Sequence, residues 1–112
     1  MGKRAARFFE EAERQESVVY VPAALLWEVS LLARVGKVEL GRSVRAFFEA
    51  LFSNPAYQPF ELTPEQVFMA DEARPNDDPF DGLICAAARF LKLPLLSRDR
   101  QIADWGIVQV IW

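Results

Sequence analysis

Three acidic segments hold the residues whose types and spacing could do chemistry. Glu28 is the one charged residue in VVYVPAALLWEVSLLA (18–33), a stretch otherwise suited to a protein interior. An ionised carboxylate there is costly unless it is paired or bound to a cation. An arginine partner would satisfy it, as would a helix turned so that Glu28 meets water. NDDPFDGLICAAARFLK (76–92) crowds Asp77, Asp78 and Asp81 around a helix start. One acid caps a helix and complements its dipole, whereas three crowded acids repel one another unless a cation sits among them. The chain carries its own control, because Thr63-Pro64-Glu65-Gln66 opens a helix with the same X-Pro start but a threonine cap. LPLLSRDR (93–100) puts Ser97 and Asp99 just past an apolar run, where a turn aspartate is the ordinary reading. Taken together, carboxylates without histidine suit Mg²⁺ or Mn²⁺, which prefer oxygen ligands. Such cations promote phosphoryl chemistry by activating water and stabilising the oxygens of an in-line displacement.

Composition narrows the alternatives. The chain has no histidine, which removes the commonest general base, Ser-His triads and His-ligated zinc. The single cysteine, Cys85, cannot form an internal disulfide and sits in a run of apolar residues that reads as core. A net charge of -3 gives no global basic field, so a polyanion would be held by a local patch or through a cation. Arg98 and Arg100, which flank Asp99, are candidates for phosphate contact; solvated surface charge is their bland reading. No stretch reaches the roughly 18 to 20 apolar residues that a membrane span needs. The N-terminal MGKRAARFFEEAERQE has no signal-peptide core, so a cytoplasmic location is expected. The 112 residues, 52% of them apolar, are expected to form one domain.

The elements that must position these acids alternate. Ala5, Phe8, Phe9 and Ala12 predict an opening amphipathic helix. VVYV (18–21) predicts a strand, and Pro22 the first turn of a helix running to about Ala33. That helix is apolar nearly all round, hence expected to be buried. Val44, Phe47, Phe48 and Leu51 mark a third helix, YQPFEL (57–62) an edge strand, and Thr63 to about Pro75 a capped helix. Phe80, Leu83, Ile84, Ala87, Ala88 and Leu91 are the buried face of the Asp78 helix. LPLLS is a strand, Arg100 to Asp104 a helical turn, and GIVQVIW (106–112) a final strand. Helices alternating with short apolar strands favour an α/β fold with a mostly parallel sheet covered on both faces. In such a sheet, sites form at the carboxyl ends of strands.

Three segments, VPAALLWEVSLLARVGKVEL, DDPFDGLICAAARFLKLPLLSRDRQI and GIVQVIW, match in order and spacing the PIN-domain family. Within that family the chain resembles the VapC-like toxins of toxin–antitoxin pairs. The likeness spans nearly the whole chain, and the DPFD-to-SRD segment is its most specific part. It implies a three-layer α/β/α sandwich and a Mg²⁺- or Mn²⁺-dependent endoribonuclease. By this resemblance Glu28, Asp81 and Asp99 are the metal-site and catalytic acids, with Asp78 and Ser97 supporting and Arg98 and Arg100 meeting RNA. The implied partners are an RNA substrate and a cognate antitoxin. The chain departs from the family's pattern at its N-terminus, where the family's first strand and its aspartate have no counterpart. The expectation that follows is a homodimer, with strand swapping one route to it, or a rearranged sheet. A non-catalytic PIN-like module acting through protein contacts is the competing reading, and a purely structural α/β domain the third.

Overall fold

Short runs of β-branched and aromatic residues between capped helices give the chain its alternating order. The computed structural model describes residues 2–112. The described residues form α1 (Lys3–Glu13), β1 (Val19–Pro22), α2 (Ala23–Arg34), α3 (Val44–Phe52), β2 (Tyr57–Phe60), α4 (Pro64–Glu72), α5 (Pro79–Leu91), β3 (Leu95–Leu96), α6 (Arg100–Trp105) and β4 (Val110–Ile111). The fold is mixed α/β, with all strand pairs parallel.

The strands pair as two separate two-stranded sheets, β1 with β2 and β3 with β4, rather than as one continuous sheet. β1 and β2 run in register from Val19 opposite Tyr57 to Pro22 opposite Phe60. In a parallel ladder alternate residues bond to the same neighbour. The Val19 N–H donates to the Ala56 carbonyl at 2.7 Å, so the Tyr20 peptide groups point to the opposite edge. Pro59, opposite Val21, lies on β2, whose one neighbour is β1, and an edge strand is where a missing N–H is tolerated. In the second sheet the Leu95 N–H donates to Gln109 at 2.8 Å and the Ser97 N–H to Ile111 at 3.1 Å. The Leu96 peptide groups therefore face outward as well. LPLLS and GIVQVIW read as longer strands from sequence; each pairs over two residues, because a strand extends only as far as its neighbour accompanies it.

Each sheet has its own small core. Ala12, Ala56 and Tyr57, packed by Phe9, Val19, Leu51 and Phe52, join α1 to the first sheet. Cys85, Ala88, Ile102 and Val108, packed by Leu95, Trp105 and Val110, join α5 and α6 to the second. The N-terminus of α1 reaches the far sheet, where the Arg4 and Ala5 N–H groups donate to the Trp112 carbonyl at 3.0 and 3.1 Å. Small residues 85–88 let α5 lie close against its neighbours, and all four are buried. Arg89 donates to the Met69 and Ala73 carbonyls, satisfying the last turn of α4. Cys85 is fully buried, and burial first, then Asp81 and Asp99, push its thiol up to about 11, so it packs as an inert hydrophobe.

The all-round apolar α2 is not sequestered as its sequence predicts. Only Ala24 is buried, and Trp27 is 58% exposed. An apolar helix is buried only where something covers it, and here Trp27 is left uncovered while the leucines of α2 are half-buried.

Candidate functional site

The acids are presented by one helix interior and two helix starts. Asp78 is the N-cap of α5, its Oδ1 accepting the N–H groups of Phe80 at 2.8 Å and Asp81 at 3.2 Å. Asp81 follows in the first turn, where the helix dipole favours a carboxylate. Asp99 is the N-cap of α6 and accepts the Gln101 N–H at 2.8 Å. Ser97 braces this turn, its hydroxyl accepting the Asp99 N–H at 3.1 Å. Thr63 caps α4 as expected, but Gln66 does not complete the reciprocal box. Its amide is almost fully buried and instead donates to the Glu61 carbonyl and the Thr63 hydroxyl.

Glu28 projects from α2, which packs on α5. It is half-buried and has no hydrogen-bond or ion-pair partner among the described residues. An arginine partner, one way to explain a lone carboxylate in this helix, is therefore not found. The ion pairs present, Arg14 with Glu16 and Arg45 with Glu49, are exposed and remote in sequence. Burial, then the charges of Asp78 and Asp81, hold the Glu28 carboxyl above its ordinary value. The acids whose charges reach Glu28 are thus Asp78 and Asp81. Asp77 is exposed and instead borders a shallow cavity of about 370 Å³ with Asp71, Arg74 and Trp105, which Glu28, Asp81 and Asp99 do not line. Asp99 is not among the charges that raise Glu28; after burial, it and Asp81 raise the Cys85 thiol. Arg98 and Arg100 are exposed beside Asp99 and make no ion pair among the described residues.

A residue that the sequence did not single out connects these parts. Asn76 donates through Nδ2 to Asp81 Oδ2 at 3.0 Å and to Gln101 Oε1 at 3.2 Å, and its Oδ1 accepts the Asp78 N–H at 2.8 Å. The one signal available was an Asx turn at Asn76-Asp77-Asp78.

The donor set suits a hard divalent cation in kind: oxygen ligands, and no basic side chain neutralising Glu28 among the described residues. It does not suit one in spacing. Among the described residues no group of three or more acidic or cysteine side chains lies close enough to hold one ion.

The raised Glu28 carboxyl has a consequence for stability. The folded chain binds this proton more tightly than the unfolded chain does. The contribution of Glu28 is most favourable below the ordinary glutamate value of about 4.3 and is lost as pH rises through the folded value. With a chelator present, Glu28→Gln should therefore melt higher than the parent chain at about pH 7 and equally at about pH 3. Thermal melts at the two pH values check this, and an equal or lower melting temperature at neutral pH would show that Glu28 is not strained by burial and its acidic neighbours.

Among the described residues, no helix is long and apolar enough to cross a membrane. A family model described as PIN domain matches residues 2–107. No curated protein and no solved structure matches the chain.

Proposed function

The chain belongs to the PIN-domain family, and from that premise we propose that it is a Mg²⁺- or Mn²⁺-dependent endoribonuclease, the VapC-like toxin of a toxin–antitoxin pair acting in the cytoplasm. PIN domains are in general divalent-metal-dependent nucleases. The observation that supports the reading at these residues is that Glu28, half-buried and without a basic partner among the described residues, is held above its ordinary value by burial and then by the charges of Asp78 and Asp81. In this reading Glu28, Asp81 and Asp99 are the catalytic acids, each a metal ligand, with Asp78 and Ser97 holding the two helix starts. Glu28, Asp81 and Asp99 would hold the cation, and the chemistry it would supply is activation of a water and stabilisation of charge on the phosphate oxygens. Arg98 and Arg100 extend into solvent beside Asp99, where they would hold the RNA backbone. The domain is a three-layer sandwich in its assembled form, and its partners are RNA, a cognate antitoxin and a second copy of itself.

The test is cleavage of a mixed RNA pool by the purified chain with about 5–10 equivalents of Mn²⁺, with and without excess chelator. Cleavage that the chelator stops is the expected result. Intact RNA in the presence of Mn²⁺, from folded protein, would sink the enzymatic reading. It would favour a non-catalytic PIN-like module acting through protein contacts. The spacing of the acids and the exposed Trp27 on α2 are the observations that favour this second reading.

A further inference from the structure

The charges of α1 are sorted against its dipole. Lys3, Arg4 and Arg7 lie in its first half, and Glu10, Glu11 and Glu13 in its second. A helix favours the reverse order, acids at its start and cations at its end. The acidic half is tied to the chain, with Glu11 accepting the Ser17 hydroxyl and Glu13 the Tyr57 hydroxyl. The basic half is exposed, and none of its three side chains makes an ion pair among the described residues. Arg7 has the spacing from Glu10 and Glu11 at which helix pairs form, yet pairs with neither. The tertiary structure brings more positive charge to the same end. The start of α1 is seated on the end of β4, where the Arg4 and Ala5 N–H groups donate to the Trp112 carbonyl. Gly2 permits that approach, because a Cβ there would overlap the Trp112 backbone. The preceding carbonyl, of Ile111, points the other way and accepts the Ser97 N–H, which puts Arg98 and Arg100 just beyond. Both arginines are exposed and unpaired among the described residues. The two basic groups thus flank Trp112, which is 40% exposed.

We propose that this basic end of the molecule binds single-stranded RNA, with Lys3, Arg4, Arg7, Arg98 and Arg100 holding phosphates and the Trp112 indole stacking on a base. The choice of RNA as partner rests on the function proposed above, but the binding needs no metal ion. In a chain of net charge -3, unpaired cations gathered at one end make a local field that attracts a polyanion. Single-strand binders combine such cations, which track the backbone, with aromatic side chains on which bases stack. A duplex keeps its base faces stacked on one another, so an exposed indole among cations favours a single strand. Phosphates at the start of α1 also relieve the conflict between its cations and its dipole.

The experiment is fluorescence anisotropy of a labelled oligouridine of about 10 nucleotides with the full chain, in excess chelator and over a range of salt. The parent chain should bind, with log K falling against log salt at a slope of about -3.5 when all five cations meet phosphates. The double variant Arg4→Gln/Arg7→Gln should bind more weakly, with that slope shallower by about 1.4. Its melting temperature should stay or rise, since the lost charges oppose the dipole. Trp112→Ala should weaken binding by about 5–100-fold and leave the slope as it is. Arg45→Gln, which removes one charge from α3, should bind as the parent does. A parent chain that does not bind overturns the proposal, as does parent-like affinity and slope in the double variant. Parent-like affinity in Trp112→Ala overturns the stacking and with it the choice of a single strand. Should that variant not fold, duplex RNA of the same length decides: binding as tight as that of the single strand overturns the proposal, and weaker binding supports it. Binding to vesicles of acidic lipid but not to oligouridine assigns the patch to a membrane surface and overturns it too. Oligouridine bound in chelator, with the RNA pool left intact in Mn²⁺, sinks the nuclease reading alone. Cleavage of the pool, with binding unchanged in the double variant, sinks this proposal alone.

Discussion

On the proposed nuclease reading, in which Asp99 is a metal ligand, Asp99→Asn should lower Mn²⁺-dependent RNA cleavage by at least about a hundredfold, since losing a ligand should cost no less than losing a hydrogen-bonding partner behind it. The same substitution should leave the melting temperature within about 2 °C of the parent value. The two halves of this expectation come from different properties of one side chain. Asp99 caps α6 by accepting the Gln101 N–H, and asparagine caps a helix as well as aspartate does. What asparagine cannot supply is the negative charge. Asp99→Ala removes both and should cost about 1 kcal/mol of stability in addition to activity. Comparing cleavage and melting in the two variants separates charge from capping. If Asp99→Asn cleaves as the parent does, Asp99 is a cap only and leaves the site, and the other acids must account for any activity.

What was legible in the sequence was local. Thr63 and Asp78 announce their helices because a cap is a bond to the chain's own next turn, and both accept the expected N–H groups. The apolar face of α5 was legible only in part: Ala87 and Ala88 are buried as expected, but Phe80, Leu83, Ile84 and Leu91 are half-buried, and Gly82, Cys85 and Ala86 turn inward, because the neighbours packed on a helix decide which of its sides is covered. Features set by distant neighbours were not. The strand runs at 93–97 and 106–112 each pair over two residues, because their partners run no further. The four strands divide into two sheets, which no single segment could foretell. Glu28, Asp81 and Asp99 were picked out by type, yet their spacing depends on how α2, α5 and α6 meet, and they do not close on one ion. Asp77 counts with Asp78 and Asp81 among the crowded acids of the sequence, but it precedes the cap and is not among the charges that act on Glu28. Asn76 was read past because its partner Gln101 lies 25 residues along the chain.

The division of the sheet leads to the second large effect, on assembly. Tyr20 and Leu96 each direct their peptide groups toward an edge where this chain supplies no strand. Beside the β1 edge, Val18 is 56% and Tyr20 42% exposed. An unpaired edge lined by large apolar side chains is a template for pairing with another chain. On the reading that a second copy fills it, the parent chain should run as a dimer at about 50 µM in size-exclusion chromatography with light scattering. Tyr20→Pro tests the edge with little cost to the protomer. The N–H it removes has no partner within β1–β2, and the preceding Val19 is already extended, as a residue before proline prefers. The variant should be a monomer that keeps its helical content. Trp27→Glu, at an exposed position of α2, distinguishes the edge from the helix: a dimer that survives Tyr20→Pro but not Trp27→Glu is built on α2. A parent chain that stays monomeric at this concentration removes the second copy as the occupant of the edge.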